Sequence, residues 1–295
     1  MSNNLFDQLV DEALENQKSL APLRIVVEKE LLQHDILREM NNAGFLVDLT
    51  FIGGTCLRLC YGASRLSEDL DFSTSESFNV EKLALLGRVL VDQLQMKYGL
   101  MIKVTEPAHE NQSGGSNVST WKLKVQTRPG HRNLPMQQIN IDICMIPSHE
   151  RKPVLLHNFY GVNMGTAGLV LHAETREEIF ADKWIALALR PNRLKYRDLW
   201  DISWLHQQGV KLPFALIPLK LQDRACEPKH FLALLNQRNQ MLQTDPKLAL
   251  EFQLEMRRFL PADLVLQTSE QLTFWSYLIQ LIDGFCQKIN GLFIV

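Results

Sequence analysis

The sequence predicts an α+β fold over residues 1–170, followed by an all-α domain over residues 171–295. Three observations carry this expectation. Up to about residue 170, short strand-like apolar stretches are mixed with helical segments. Beyond about residue 172 every periodic segment has the helical repeat. At 295 residues the chain is also long enough for two domains with cores of their own. Strands mixed with helices and then helices alone is an α+β order with an appended helical domain.

Residues 20–42 read as the first helix, with Gly44 as its stop. FLVDLTFI, residues 45–52, reads as a buried strand. Gly53-Gly54-Thr55 turns the chain into a short helix over residues 56–61, ended by Gly62. A second strand covers residues 68–73, and Asn79 can cap a helix running to Tyr98. Strands follow at 101–106, 118–127 and 137–146, with a weaker one at 154–160. QSGGSN (112–117) and RPGHRN (128–133) connect the first three of these. Thr175 with Glu178 forms a capping box for a helix to about Arg190, and a further helix spans 194–207, stopped by Gly209. The rest reads as helices at 213–226, 228–242, 246–259 and 269–290, several with proline at the start.

Hydrophobic content of 46% with 22% charged residues is the profile of a soluble globular protein. A net charge of -2 excludes a global pull toward nucleic acid or anionic membrane, so any polyanion site is a local patch. Five cysteines without paired spacing read as reduced thiols, which points to a cytoplasmic protein. The N-terminus has no basic start followed by an apolar run, so no signal peptide is expected, and no apolar run is long enough to span a membrane.

The chemistry begins at SEDLDFS. On a strand, Ser67, Asp69, Asp71 and Ser73 point one way, while Leu70 and Phe72 point the other way into a core. Two carboxylates one repeat apart on one face repel each other unless a cation lies between them. Mg²⁺ suits them, because it takes one or two carboxylates and fills its other positions with phosphate and water. The plain alternative is a solvent-facing strand with two charges. Gly53 and Gly54 weigh against it: at a strand-to-helix turn they let backbone N–H groups approach an anion, and Thr55 adds a hydroxyl at the same helix terminus. The plain alternative there is an ordinary tight turn. INIDI, residues 139–143, supplies a third acid. Ile139, Ile141 and Ile143 face one side, and Asn140, Asp142 and Cys144 the other. If this strand lies beside 68–73, Asp142 joins Asp69 and Asp71, and three carboxylates can hold two metals.

GGT followed by DxD and a later strand aspartate resembles the polymerase β-like nucleotidyltransferase superfamily. More narrowly, GGTCLRLCYGASRLSEDLDF (53–72) is similar to the GGTxLxxxYGxxRxSxDLDF of the AbiEii-type nucleotidyltransferase toxins of bacterial toxin–antitoxin systems, relatives of the MenT toxins. EEIFADKWIALALRPNRLKYRDLWDI (177–202) resembles the later motif of that family: a helical lysine, then arginines, then RDxxD. The resemblance implies a polymerase β-like core with a mixed sheet, and a nucleotidyltransferase that uses an NTP and releases pyrophosphate.

The resemblance also implies roles. Asp69 and Asp71, with Asp142, would be ligands of Mg²⁺ or Mn²⁺. Gly53, Gly54 and Thr55 would hold the nucleotide phosphates, with Ser67 helping. Lys183 would contact the triphosphate, and Asp198 or Asp201 would orient the active site. Arg197 would join the NTP-binding set; it is i,i+4 to Asp201, and Asp198 and Asp201 are i,i+3. Lys183 lies beside the apolar stripe of Phe180, Trp184 and Leu187, and a lone helical lysine is otherwise usually solvated. Arg58 and Arg65 flank the glycine turn, in reach of phosphate or of Glu68.

For the acceptor, the resemblance favours an RNA end such as tRNA, and it implies a cognate antitoxin. Lys122 and Lys124 share a strand face, with Arg128, His131 and Arg132 in the next turn and Trp121 as one possible stacking residue. An edge strand protected by lysines is the competing reading. Three other functions compete: transfer to a small-molecule hydroxyl, phosphorylation of a protein, and a catalytically inactive binding protein acting through its helical half. The intact GGT and DxD argue against the last.

Overall fold

In the computed structural model of the chain, residues 4–75, 77–107, 117–130, 135–191 and 193–293 are described. Most of the 112–117 connection, and His131 and Arg132, fall outside the described residues. The chain divides into two compact units, Met1–Glu174 and Thr175–Val295.

The first unit opens with α1 (Leu5–Asn16), capped by Asn4, whose side chain accepts from the Asp7 N–H at 2.9 Å. This helix is additional to those expected. Phe6, Val10 and Ala13, spaced for one helix face, are fully buried. A tight turn with Pro22 inside it, Lys18–Leu23, precedes α2 (Arg24–Asn42). Gly44, at φ +76°, ends α2, and the Phe45 N–H reaches back to the Met40 carbonyl at 2.9 Å. That cap takes Phe45 out of the expected strand, so β1 is only Thr50–Ile52. Then come α3 (Gly53–Tyr61), β2 (Leu70–Ser73), α4 (Leu86–Tyr98), β3 (Ile102–Thr105), β4 (Val118–Val125) and β5 (Gln137–Cys144). Asn79 caps a short turn, Val80–Leu83, rather than α4 itself. The weak strand expected at 154–160 forms earlier, as β6 (Arg151–Leu155), and β7 (Val170–Glu174) is additional.

The seven strands form one sheet in the order β3-β4-β5-β2-β1-β7-β6. The β2–β5 and β1–β7 pairs are parallel and the others antiparallel. This is the mixed sheet expected of the α+β domain. One face is apolar: Leu70, Phe72, Trp121, Leu123, Ile139, Ile141 and Ile143 are buried there. α2 packs against β5 and brings acids into the interior. Each has a cation. Glu30 meets Arg58 at 3.2 Å, Asp35 meets Lys97 at 2.6 Å, and Glu28 meets Arg128 at 2.9 Å. His34 is buried in the same interior with Nδ1 3.1 Å from Thr166 Oγ1. Burial first, then the charges of Arg58 and Lys97, pull its pKa down to about 4, so it is neutral at neutral pH.

The second unit contains only helices among the described residues: α5 (Arg176–Leu189), α6 (Tyr196–Gln207), α7 (Leu216–Gln222), α8 (Pro228–Thr244), α9 (Lys247–Met256), α10 (Ala262–Gln267) and α11 (Leu272–Gly291). Thr175 caps α5, accepting from the Glu178 N–H at 3.2 Å. Phe180, Trp184 and Phe285 pack ring to ring in its core. No described helix is long and apolar enough to cross a membrane, and no disulfide forms among the described residues.

Candidate active site

In the first unit, strand register brings the predicted carboxylates together. Ile52, the last residue of β1, lies opposite Asp71 on β2, and Asp71 lies opposite Asp142 on the parallel strand β5. Residues in register on adjacent strands project to the same face, so Asp71 and Asp142 stand side by side. Both are partly exposed, on the face opposite the isoleucines. Asp69, one residue before β2, accepts the Asn140 N–H through Oδ1 at 3.1 Å and so also leans on β5. Asp142 Oδ1 accepts from the Thr120 hydroxyl at 2.6 Å.

The glycine turn closes on these acids. Gly53 sits at φ +77°, where a side chain is strained, and a Cβ there would lie 2.8 Å from Asp71 Oδ2. The carboxylate therefore rests against the first residue of α3, next to backbone N–H groups that the helix cannot satisfy itself. A Cβ on Gly54 would lie 2.2 Å from Arg65 Nη2, so the Arg65 guanidinium lies over that glycine. Gly54 is thus kept free of a side chain by a cation rather than by open solvent.

Four predicted binding residues have other tasks. Thr55 is fully buried; its Oγ1 lies 2.8 Å from Ser67 Oγ and donates to the Asp69 carbonyl. It ties α3 to the start of β2 instead of presenting a hydroxyl to phosphate. Ser67 is also buried, its N–H donating to Glu30 at 2.9 Å. Arg58 is enclosed by Glu30, by the Ala63 carbonyl at 3.0 Å and by the Phe159 ring at 4.5 Å, contacts that replace the expected phosphate or Glu68. Arg197, in the second unit, stacks 4.4 Å from the Phe259 ring with Glu255 at 3.2 Å. Buried interiors claim these side chains because their hydrogen-bonding capacity must be filled there. Glu30, which organises Ser67 and Arg58, was not among the expected residues; its only sequence signal is an acid at an inward position of α2.

The second motif forms a closed ion cluster within the second unit. Lys183 on α5 lies 2.7 Å from both Asp198 and Asp201 on α6. It is 8% exposed, so the solvated reading of this lysine fails. Arg190 meets the other oxygen of Asp198 at 3.0 Å. Burial alone would raise the Asp198 pKa, but the charges of Lys183, Lys195 and Arg190 outweigh it and hold the group well below the usual carboxylate range. On the same helix Glu178 and Asp182 share Lys220, at 2.7 and 2.9 Å, a buried pair that the sequence pattern did not announce.

The donor set suits a hard cation. Asp69, Asp71 and Asp142 offer oxygen ligands only, which fits Mg²⁺ or Mn²⁺ rather than a thiophilic metal. Among the described residues the three do not form a group with all ligand oxygens within 4.8 Å of one another. Asp142→Asn, which keeps the shape and the Thr120 contact but removes the charge, is expected to retain NTP binding and lose transfer by about 10²-fold or more. Equilibrium binding beside single-turnover transfer checks this; near-normal transfer would leave the chemistry to Asp69 and Asp71 alone.

The family model for the nucleotidyl transferase AbiEii toxin of type IV toxin–antitoxin systems matches residues 35–277. Among solved structures, MenT4, a nucleotidyltransferase toxin from Mycobacterium tuberculosis H37Rv, superposes with a TM-score of 0.58 at 16% identity, covering 96% of this chain and 89% of its own. JHP933 from Helicobacter pylori gives 0.47 at 18% identity, covering 90% and 95%. The comparison with curated proteins finds no match. At 16% identity the likeness to MenT4 shows the fold alone.

Proposed function

The chain belongs to the AbiEii nucleotidyltransferase toxin family, and from that premise we propose that it transfers a nucleotidyl group from an NTP to an RNA end, with Mg²⁺ or Mn²⁺ at Asp69, Asp71 and Asp142. The observation that carries this reading is the register of Asp71 with Asp142 beside the Gly53 turn. The acceptor hydroxyl oxygen bonds to the α-phosphorus as the bond to the departing pyrophosphate breaks, and the hydroxyl proton passes to Asp142. The first N–H groups of α3 hold phosphate oxygens, with the buried Arg65 guanidinium lying over Gly54 as a nearby positive charge. What a divalent cation supplies at these carboxylates is charge neutralisation and a lower pKa for the attacking hydroxyl. From the second unit we assign to Lys183 the positioning of Asp198 and Asp201, both 2.7 Å from its ammonium, in place of the triphosphate contact that the resemblance implied. Family membership implies a cognate antitoxin, and the reaction is that of a cytoplasmic protein.

The RNA reading rests on a lysine stripe. Thr120, Lys122 and Lys124 alternate on β4 with buried Trp121, Leu123 and Val125. Thr120 lies opposite Asp142, so the lysines share the face of the carboxylates. Lys124 lies directly opposite Lys103, a like-charge pair that costs stability unless an anion lies over it. Edge protection does not account for Lys122 and Lys124, because β3 covers the outer side of β4. Trp121, buried on the other face, cannot stack on a base. Incubation with each labelled NTP, Mg²⁺ and total RNA is expected to label RNA. In the Lys122→Ala/Lys124→Ala variant the log–log salt slope of RNA binding should fall by about 1.4, two phosphate contacts at 0.7 each on a single strand, while NTP binding is unchanged. Label in protein or small molecules instead, or an unaltered slope, would overturn the RNA acceptor.

A further inference from the structure

We propose that the first unit carries a second binding site, for a tetrahedral oxyanion of the phosphate class, at the end of β1 opposite the glycine turn. A cavity of about 440 Å³ lies there, within the roughly 300–1,000 Å³ of small-molecule sites. It is walled by the start of β1, the segment after β2, and the turn between β5 and β6. None of the residues assigned above to nucleotidyl transfer lines it.

The lining is rich in donors. Five hydroxyl-bearing residues line the space, with two cations against one carboxylate, and only Phe78 and Pro147 are apolar. Thr74 and Ser148 already donate to the Asp48 carbonyl and to Glu174, and Ser75 is bonded to Ser77, which leaves Thr50 and Arg151 as the donors for a ligand. That composition excludes a hydrophobic ligand and favours an anion. Lys82 is neutralised by Asp48 at 2.6 Å. Arg151, at the start of β6, pairs with no acid among the described residues, so its charge remains for a ligand. Thr50 adds a hydroxyl at the cavity wall that makes no hydrogen bond to a described residue and so can donate to a ligand oxygen. A guanidinium fork beside a hydroxyl matches phosphate, which offers two oxygens to the fork and another to the hydroxyl.

Thr50 lies opposite Ser73, and Ile52 opposite Asp71, so the cavity and the carboxylates are at two ends of one strand pair. The site is distinct from the nucleotidyl site, and its test does not depend on the proposed reaction. Inorganic phosphate and ribose 5-phosphate are titrated separately into the full chain by calorimetry, with phosphorus NMR as a second readout. Saturable millimolar binding is expected, weakened about tenfold in Arg151→Ala, the loss of one charge-assisted contact. Thr50→Val, which removes only the hydroxyl, should also weaken it, and Asp71→Asn should leave it intact. Tighter binding of the ester identifies a phosphorylated metabolite as the source; equal or tighter binding of inorganic phosphate identifies the free anion. Absence of saturable binding, indifference to Arg151→Ala, or loss in Asp71→Asn would overturn the site; the last would return the anion to the nucleotidyl centre.

Discussion

Asp71→Ala is expected to abolish nucleotidyl transfer, a loss of about 10³-fold or more, while the melting temperature in the absence of metal stays unchanged or rises. Asp71 stands beside Asp142 in register and against Gly53, where little room is left. Without a cation the two carboxylates repel, so removing one relieves that cost. Asp69→Ala should be as inactive but less tolerant, because Asp69 accepts the Asn140 N–H and its loss costs about 1 kcal/mol. Calorimetric melting with and without Mg²⁺, beside single-turnover transfer, separates the two effects. Full activity in either variant would sink the metal assignment. A large fall in melting temperature for Asp71→Ala would show that the carboxylate serves the fold instead.

The carboxylate face is legible in the sequence because strand alternation is local. Leu70 with Phe72 and the three isoleucines of INIDI announce their inward face, which leaves Asp69, Asp71 and Asp142 on the other. That β2 and β5 are neighbours is not legible in the same way, since strand order is a property of the whole chain. The same limit hides the status of Lys122 and Lys124: nothing within β4 says that β3 lies outside it. The FLVDLTFI stretch misleads for a different reason. Its composition suits a strand, but the α2 cap claims Phe45, and Val47 is left 69% exposed. α1 is readable from Phe6, Val10 and Ala13 at helical spacing, whereas β7 offers only five residues with two outward positions. Buried ion pairs are the least legible. Periodicity reads one helix at a time, and Lys183 finds its partners on α6, as Lys220 finds Glu178 on α5.

That last point reverses the expectation for Lys183. A solvated or ligand-facing lysine would be removed at little cost to folding. Here Lys183→Ala leaves two carboxylates, 3% and 1% exposed, without the ammonium they share. Breaking a buried pair from one side costs about 3–5 kcal/mol, and Arg190, 3.0 Å from Asp198, offsets part of that cost. Urea unfolding followed by tryptophan fluorescence is a suitable measure, because four of the five tryptophans lie beyond residue 175. The pH dependence gives the mechanism. In the wild-type chain Asp198 has a depressed pKa, so its contribution is present above the unfolded carboxylate pKa and lost as pH falls through the folded value. In Lys183→Ala burial acts on Asp198 with less to oppose it, and its folded pKa moves up. The deficit should then be largest near neutrality and shrink as that carboxylate protonates toward about pH 4. Adding Asp198→Asn and Asp201→Asn to Lys183→Ala should recover much of the stability without recovering transfer. An unchanged urea midpoint in Lys183→Ala would mean that water reaches both acids, and the lysine would return to a purely catalytic role.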